Sequence, residues 1–310
     1  MPGSSAPIAT HPDWNVESLI RDRRLGFAAR FIVDGYFAGI HRSRFAEPSA
    51  EVNDYRPYAA GDDVRRIDWR AAARADREYI KLAPKDTEMT CTIALDTSAS
   101  MGVNGGLSYS KFDYARLLTA ALCLIAVRQH DRIAFMHYDD QMNRYLPPIR
   151  PGAGYSRINE LISGLEMVRP GSRSDSAHAL RQLFSAKPPR GVLVVVSDLL
   201  DDPDPLFDSL ALFTYHHYTA LLIQILSPAE LRLPELPAAR FVDPETGSIL
   251  TSTIPDQRER YEAEMQRFFD AMEQRCRALK IAYCRLATDT PFAVGLRPFL
   301  DRHSHAGTYR

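Results

Sequence analysis

From Thr90 onward, the chain alternates between short runs of consecutive apolar residues and longer segments in which apolar residues recur with helical spacing. The clearest short run, residues 191–196, reads Gly-Val-Leu-Val-Val-Val. A strand that is apolar on both faces must be covered on both faces, which is typical of a parallel sheet between two layers of helices. The alternation therefore predicts a doubly wound, mostly parallel α/β sheet. The predicted strands are residues 90–95, 132–138, 191–197, 218–226 and 281–286.

The segments between the predicted strands carry apolar side chains three or four positions apart, as amphipathic helices do. Ser110 and Asp113 are spaced to form a capping box at the start of the first of these helices. The alternation stops at residues 228–255, which are rich in proline and are interpreted as a loop or a small hairpin insertion. The predicted helices are residues 111–129, 155–168, 175–186, 204–216 and 256–279.

The N-terminal part of the chain differs in composition from the α/β part. Its helical segment has apolar spacing, and residues 41–88 are rich in Arg, Asp, Tyr and Pro, which favours short strands and loops. The sequence thus predicts a small helix-plus-β module in front of the sheet. The expected parts are a flexible N-terminus at 1–15, the module at 16–88, and the α/β domain at 89–310 with its Pro-rich insertion near 228–255.

Charge, hydropathy and cysteine usage exclude several classes of protein. The formal net charge of -1 gives no global attraction to nucleic acid or to an anionic membrane. No apolar run approaches the roughly 20 residues that span a bilayer, and the N-terminus lacks the basic and apolar regions of a secretory signal. The four cysteines lie in apolar segments without a CxxC pair, so they are interpreted as reduced, buried thiols. We therefore expect a cytoplasmic protein without a transmembrane segment.

Hydroxyl and carboxylate side chains collect where the predicted strands end. Asp96, Ser98 and Ser100 follow the first strand, Asp198 follows the third, and Ser174 lies in a loop that opens a helix. Ligands of doubly wound folds bind outside the carboxyl ends of the strands, so these side chains are candidates for one site. Hard oxygen donors suit Mg²⁺, Mn²⁺ or Ca²⁺ rather than zinc. Such a site would leave a coordination position for a carboxylate from a partner.

Simpler and enzymatic interpretations of these residues stay open at this point. Serine and aspartate after a strand often cap the next helix. Neither Ser98 nor Ser100 has the flanking glycines of a hydrolase nucleophile elbow, and Asp96 lacks the second aspartate that a phosphoryl acceptor usually has two residues on. No Gly-rich phosphate loop ends in Gly-Lys-Ser/Thr. His137 and His178 keep a Ser/His/Asp arrangement open, and a metal-dependent hydrolase would need a general base that the sequence does not identify.

The pattern Asp96-x-Ser98-x-Ser100 after a buried strand resembles the first loop of von Willebrand factor A domains. Such domains carry a metal-ion-dependent adhesion site, whose second loop usually supplies a threonine and whose third loop supplies an aspartate. Ser174 and Asp198 stand at the matching places, with serine instead of the usual threonine at the first of them. The resemblance implies a divalent cation, Mg²⁺ first and Mn²⁺ or Ca²⁺ as alternatives, held by these five residues.

Residues 55–82, YRPYAAGDDVRRIDWRAAARADREYIKL, closely resemble the signature of a bacterial family called domain of unknown function 58. Ala60 stands where the family has a proline before the glycine. The resemblance implies a von Willebrand factor A-like domain after the signature. It also implies an adaptor or chaperone-like role as a partner of a MoxR-type AAA+ ATPase. The matching residues are Tyr58, Gly61, Asp62, Asp63, Arg65, Ile67, Asp68, Trp69 and Arg74.

The charged residues of this signature allow two interpretations. Basic and acidic residues are nearly balanced in it, which indicates internal ion pairs rather than a nucleic-acid face. The Asp-Trp pair and the arginine after it are predicted to lock the module, whereas the two adjacent aspartates on the glycine turn could form a docking point or a metal site. The candidate signature residues are Asp62, Asp63, Arg65, Asp68, Trp69 and Arg74.

Three functions are compatible with the sequence. The favoured hypothesis is a non-catalytic, metal-dependent protein-binding module, in which an acidic residue of a partner protein completes the coordination of the metal. The alternative is a metal-dependent, phosphatase-like hydrolase that uses the same site. The third is a structural scaffold whose site stays empty. Nucleic acid is not expected as a partner.

Overall fold

The computed structural model describes residues 16–21, 24–46, 55–59, 63–64, 67, 69, 72–73, 78–81, 89–149, 154–294 and 296. The strands are β1 (Tyr55–Pro57), β2 (Tyr79–Lys81), β3 (Thr90–Asp96), β4 (Arg132–Tyr138), β5 (Met142–Ile149), β6 (Gly191–Ser197), β7 (Thr219–Leu226), β8 (Ala238–Val242), β9 (Ile249–Thr253) and β10 (Ala282–Ala287). The helices are α1 (Val16–Arg21), α2 (Leu25–Ala46), α3 (Lys111–Arg128), α4 (Gly154–Met167), α5 (Ser176–Ser185), α6 (Pro203–Tyr215), α7 (Pro228–Leu231) and α8 (Ile254–Ala278).

The central sheet of the described chain has six strands in the order β10-β7-β6-β3-β4-β5. All neighbours pair in parallel except β4 and β5, which are antiparallel. The chain leaves β3 toward β4 and later returns to β6 on the other side of β3. This reversal places a topological switch point between β3 and β6, where a crevice opens at the carboxyl ends of the strands. The predicted doubly wound, mostly parallel fold is confirmed.

Strands β3 and β6 are buried on both faces because helices cover both sides of the sheet. Ile93 and Val194 belong to one apolar cluster, whereas Ala94 and Val195 belong to the cluster on the opposite face. Helix α3 lies in the first cluster, and most of its residues are buried. The predicted capping box at its start is confirmed, since Ser110 and Asp113 bond to each other's backbone N–H groups.

Strand β5 and the N-terminal helix differ from the sequence-based expectations, and the structure decides between the two interpretations of the Pro-rich insertion. Strand β5 was not predicted, because Arg144 and the pair Pro147-Pro148 break the apolar pattern; an edge strand tolerates proline. The predicted N-terminal helix is two helices, α1 and α2, and the second extends to Ala46. The Pro-rich insertion contains helix α7 and the antiparallel hairpin β8–β9, so the hairpin interpretation is the one that holds.

The chain forms two compact units, residues 1–37 with 89–310 and residues 38–88. In the smaller unit β1 and β2 are antiparallel, and the buried Ile67 bridges to the buried Ile80. Trp69 is 60% exposed, and Asp63 is exposed as well. The other signature candidates lie outside the described residues; they are Asp62, Arg65, Asp68 and Arg74. No helix within the described ranges is both long and apolar enough to cross a membrane.

The four cysteines lead to the first testable prediction. Cys91, Cys123 and Cys276 are buried, Cys284 is half-buried, and all four are free thiols. Burial raises the pKa of Cys123 and of Cys276 to about 12. Because the thiolate is the reactive form, we expect iodoacetamide at pH 8 to alkylate the native protein slowly and the urea-unfolded protein at all four positions. Mass spectrometry counts the adducts, and rapid native labelling of Cys123 would contradict the buried placement.

Candidate functional site

Asp96 is the last residue of β3 and is held from two directions at the switch point. One carboxylate oxygen, Oδ1, accepts a hydrogen bond of 2.8 Å from the backbone N–H of Ser98. The other, Oδ2, accepts one of 2.6 Å from the hydroxyl of Ser197 at the end of β6. The carboxylate is completely buried, so the loop after β3 and the end of β6 together fix its orientation.

The loop after β3 turns at once into a short 3-10 helix, Ala99–Gly102, with Ser98 as its N-cap. This turn brings the hydroxyls of Ser98 and Ser100 within 3.0 Å of each other, and both side chains are buried. The Ser98 side chain accepts no capping hydrogen bond from the backbone N–H groups of this helix. The capping interpretation therefore does not account for Ser98, and its hydroxyl is available to a neighbour.

The loop that contains Ser174 is bonded directly to the loop after β3. Gly171 donates its backbone N–H to the Thr97 carbonyl at 2.6 Å. A Cβ at Gly171 would lie only 2.5 Å from the Asp139 carboxylate, so a glycine permits this close approach. Ser174 donates its hydroxyl to Asp201 Oδ2 at 3.0 Å. Since the proton of Ser174 points to Asp201, its lone pairs remain available to a cation.

Asp198 lies one residue beyond β6 and is paired with a buried lysine. Lys111 Nζ donates to Asp198 Oδ2 at 2.8 Å and to Glu230 Oε1 at 2.5 Å. The ammonium group is fully buried although Lys111 is the first residue of α3. Gln224 on β7 donates its side-chain amide to the Asp198 carbonyl at 2.8 Å and fixes the turn after β6. Neither Lys111 nor Glu230 was a predicted site residue.

The described part of the site carries more negative than positive charge. Burial and the Asp198 carboxylate raise the pKa of Asp96 to about 8. Burial alone would lower the pKa of Lys111, but the carboxylates of Asp198 and Glu230 raise it overall, so the lysine stays an ammonium ion. Without a cation, a carboxyl group with a pKa of about 8 is mostly protonated at pH 7. The single Lys111 ammonium is therefore shared by two carboxylates, those of Asp198 and Glu230, and it does not neutralise both.

Glu245 reaches this site from the turn between β8 and β9. Its Oε2 accepts a hydrogen bond of 3.2 Å from the backbone N–H of Ser174, and its carboxylate lies close enough to the Ser100 hydroxyl for that hydroxyl to lower its pKa. Burial and the charges of Asp198 and Asp201 raise the pKa of Glu245, and the two hydrogen bonds oppose that rise. Glu245 was not a predicted site residue, because nothing in the local pattern of the insertion connects it to the ends of β3 and β6.

The five predicted metal ligands therefore lie at one edge of the sheet. Asp96, Ser98 and Ser100 are neighbours on one loop, Asp198 is close enough to affect the pKa of Asp96, and Ser174 is linked to Ser100 through Glu245. Among the described residues, no three His, Cys, Asp or Glu side chains are grouped so that they could hold a metal ion by themselves. A cation here would depend on the serine hydroxyls. The hard oxygen donors and the excess negative charge fit a divalent cation of the Mg²⁺ type.

The histidines that kept a Ser/His/Asp arrangement open lie elsewhere. His178 hydrogen-bonds Gln182 on α5, and His137 lies beside Phe135 and Arg144 on β4 and β5. The hydrogen bonds of the described Ser98 hydroxyl lead to Ser100 and not to an imidazole. The two described histidines His137 and His178 thus give the Ser98 hydroxyl no adjacent imidazole base.

Comparison with known families gives a match over most of the chain. The model of the family described as "Protein of unknown function DUF58" matches residues 54–269. Uncharacterized proteins of Mycobacterium bovis and Mycobacterium tuberculosis are 28% identical over 263 residues, which is 82% of this chain and 81% of theirs.

Several solved structures are similar to this chain at low sequence identity. BatB from Bacteroides thetaiotaomicron is 12% identical with a TM-score of 0.46, over 70% of this chain and 98% of that one. An aerotolerance-related membrane protein from Bacteroides fragilis is 15% identical with a TM-score of 0.47, over 69% and 99%. The SpRpn10 VWA domain is 13% identical with a TM-score of 0.38, over 45% and 76%.

Proposed function

This chain belongs to the family described as protein of unknown function DUF58, and from the site that it carries we propose that it is a non-catalytic, metal-dependent protein-binding module. The hydroxyls of Ser98, Ser100 and Ser174 would hold the cation, with Asp96 and Asp198 supplying charge beside it. The cation would attract a carboxylate from the surface of a partner protein. Hydrogen bonds among the carboxylates and hydroxyls of this chain keep the proposed ligands in position.

One observation supports this proposal above the others. Residues from three separate segments of the chain, at the ends of β3 and β6 and in the loop before α5, converge on one buried, negatively charged edge of the sheet. A capping role does not explain this set, since Ser98 makes no capping bond and the next two helices are capped by Asp175 and Asp202. A hydrolase would in addition need a base beside the site, and the described histidines lie elsewhere. The binding function is therefore the better supported one.

The proposal extends to the partner. The signature in residues 55–82 resembles that of proteins encoded with MoxR-type AAA+ ATPases, so such an ATPase is the partner that we propose to test first. In an adaptor role, an acidic side chain of the ATPase, or of a protein on which the ATPase acts, would bind the cation. A pull-down of the full chain against a MoxR-type ATPase, with Mg²⁺ and with EDTA, tests this extension. Retention in Mg²⁺ and loss in EDTA support it, and equal retention in both contradicts the role of the metal.

Metal binding by the full chain is the second testable prediction. We expect millimolar Mg²⁺ or Mn²⁺ to raise the melting temperature after EDTA treatment, because a ligand of the folded state stabilises it, by about 2.7 kcal/mol when its concentration is 100 times Kd. Ser98→Ala with Ser100→Ala should weaken binding about tenfold or more, which corresponds to about 1.4 kcal/mol. Isothermal titration calorimetry measures both proteins.

Ser209→Ala is the matched control for that double variant. Ser209 is also a buried serine, and its hydroxyl donates to the carbonyls of Ala177 and Pro205, away from the proposed ligands. Its replacement should leave the affinity for Mg²⁺ unchanged. Absence of heat with both ions, or equal affinity in the double variant and the wild type, would overturn the metal-dependent function.

A further inference from the structure

The turn between β8 and β9 is built to hold one side chain in place. Asp243 Oδ1 accepts the backbone N–H of Glu245 at 2.9 Å, and Asp243 Oδ2 accepts the Thr246 hydroxyl at 2.5 Å. The last strand pair, Val242 with Ile249, lies directly beside this turn. The backbone of Glu245 is therefore fixed by its own turn, independently of what its carboxylate contacts.

The hairpin has little apolar contact that could fix its tip on the rest of the molecule. Val242, Ile249 and Leu250 are each more than half exposed. The base of the hairpin is closed by the bond from the Ile254 N–H to the Pro237 carbonyl. At the tip, the Glu245 carboxylate accepts the backbone N–H of Ser174 and lies near the Ser100 hydroxyl, and Arg173 is close enough to lower the pKa of Asp243. Thus a carboxylate, rather than a hydrophobic anchor, attaches this tip.

The Glu245 carboxylate lies beside residues that are proposed to hold the cation. Ser100 and Ser174 are two of the residues that would hold the cation. The Glu245 carboxylate accepts the backbone N–H of Ser174 at 3.2 Å and lies close enough to the Ser100 hydroxyl for that hydroxyl to lower its pKa. The carboxylates of Asp198 and Asp201 lie near the same place, so a cation bound there would also attract the Glu245 carboxylate. A carboxylate from a partner that approached Ser100 and Ser174 would meet the Glu245 carboxylate at this place.

We propose that Glu245 is an internal ligand of the site, which occupies the place of the partner's carboxylate and must be displaced before a partner binds. This inference rests on the proposed function, because it assigns a regulator to the same site. The hairpin β8–β9 acts as a tethered competitor. The apparent affinity for any external carboxylate is then the intrinsic affinity multiplied by the fraction of molecules in which Glu245 has left the site.

The test uses Glu245→Gln in the full chain and a probe peptide that copies residues 241–250, FVDPETGSIL. In Mg²⁺, the labelled peptide should bind Glu245→Gln about tenfold or more tightly than the wild type, because an internal ligand present in nine molecules of ten costs a factor of ten. Fluorescence anisotropy measures the affinities. A peptide with glutamine in place of glutamate should bind neither protein. Glu235→Gln, an exposed glutamate of the same insertion, is the matched control and should behave like the wild type.

The outcomes separate this proposal from the metal-dependent function. Tighter peptide binding by Glu245→Gln in Mg²⁺ that disappears in EDTA supports both. Tighter binding in both conditions supports the internal ligand and overturns the role of the metal. Equal binding by both proteins, or binding by neither, overturns the internal ligand, whatever calorimetry shows for Mg²⁺. Hydrogen exchange gives a second readout without peptide, in Glu245→Ala because a glutamine oxygen could still accept the bond. The Ser174 amide should exchange faster in this variant than in the wild type, and unchanged protection of that amide would also overturn the proposal.

Discussion

Replacing Lys111 with methionine should lower the free energy of unfolding by about 3–5 kcal/mol, since the removal of one partner from a buried ion pair leaves an uncompensated charge in the interior. The Lys111 ammonium is fully buried and bonds to Asp198 and Glu230. Methionine is similar in length and removes the charge, so the cost comes from the stranded carboxylates. Urea unfolding in EDTA, followed by circular dichroism, measures the change.

Lys187→Met is the matched control, because Lys187 is exposed and its replacement should change stability by less than about 0.5 kcal/mol. Mg²⁺ provides a second comparison. Without the ammonium group the site is more negative, so Mg²⁺ should stabilise Lys111→Met more than the wild type. A loss below about 1 kcal/mol would contradict the buried pair. Equal stabilisation of both proteins by Mg²⁺ would mean that Lys111 and the cation do not share the same carboxylates.

Replacing Gly191 with alanine should destabilise the protein by about 3 kcal/mol or more, at or beyond the upper end of the usual range for overpacked cores. Gly191 begins β6 and pairs with Thr90 of β3. A Cβ at this position would lie 1.9 Å from the Thr90 carbonyl oxygen, which is backbone of a central strand and not the movable end of a side chain. The two strands would have to separate at their start, and their far ends carry Asp96 and Asp198.

Gly164→Ala in helix α4 is the control for this prediction. The nearest atom to a Cβ there is a guanidinium nitrogen of Arg144 at 3.9 Å, so alanine fits. Its higher helix propensity should stabilise the helix by up to about 1 kcal/mol. Thermal melts of soluble protein compare the two variants. A melting temperature of Gly191→Ala within a degree or two of the wild type would show that β6 starts farther from β3 than described.

Features that leave a pattern among neighbouring residues were predicted from the sequence, and features without such a pattern were not. Strands such as 191–197 were predicted because burial on both faces leaves a continuous apolar run in the sequence. Strand β5 was missed because an edge strand has solvent on one side and no such run. The candidate ligands Asp96, Ser98, Ser100, Ser174 and Asp198 were predicted because each follows or flanks a recognisable element. Whether they hold a metal stays a prediction.

The sequence by itself determined the alternation of strands and helices, the location of the oxygen-bearing loops at their ends, and the signature of the family. These features depend on neighbouring residues, whose apolar period and turn chemistry can be recognised locally. Only the tertiary structure decided that Lys111 and Glu230 meet Asp198, and that Glu245 meets Ser100 and Ser174. Lys111 and Glu230 are 119 residues apart in the sequence and are joined by a hydrogen bond of 2.5 Å. Ser174 and Glu245 are 71 residues apart and are joined by one of 3.2 Å. No local pattern encodes such a meeting, because it follows from the order in which the strands pair and from where the insertion folds back.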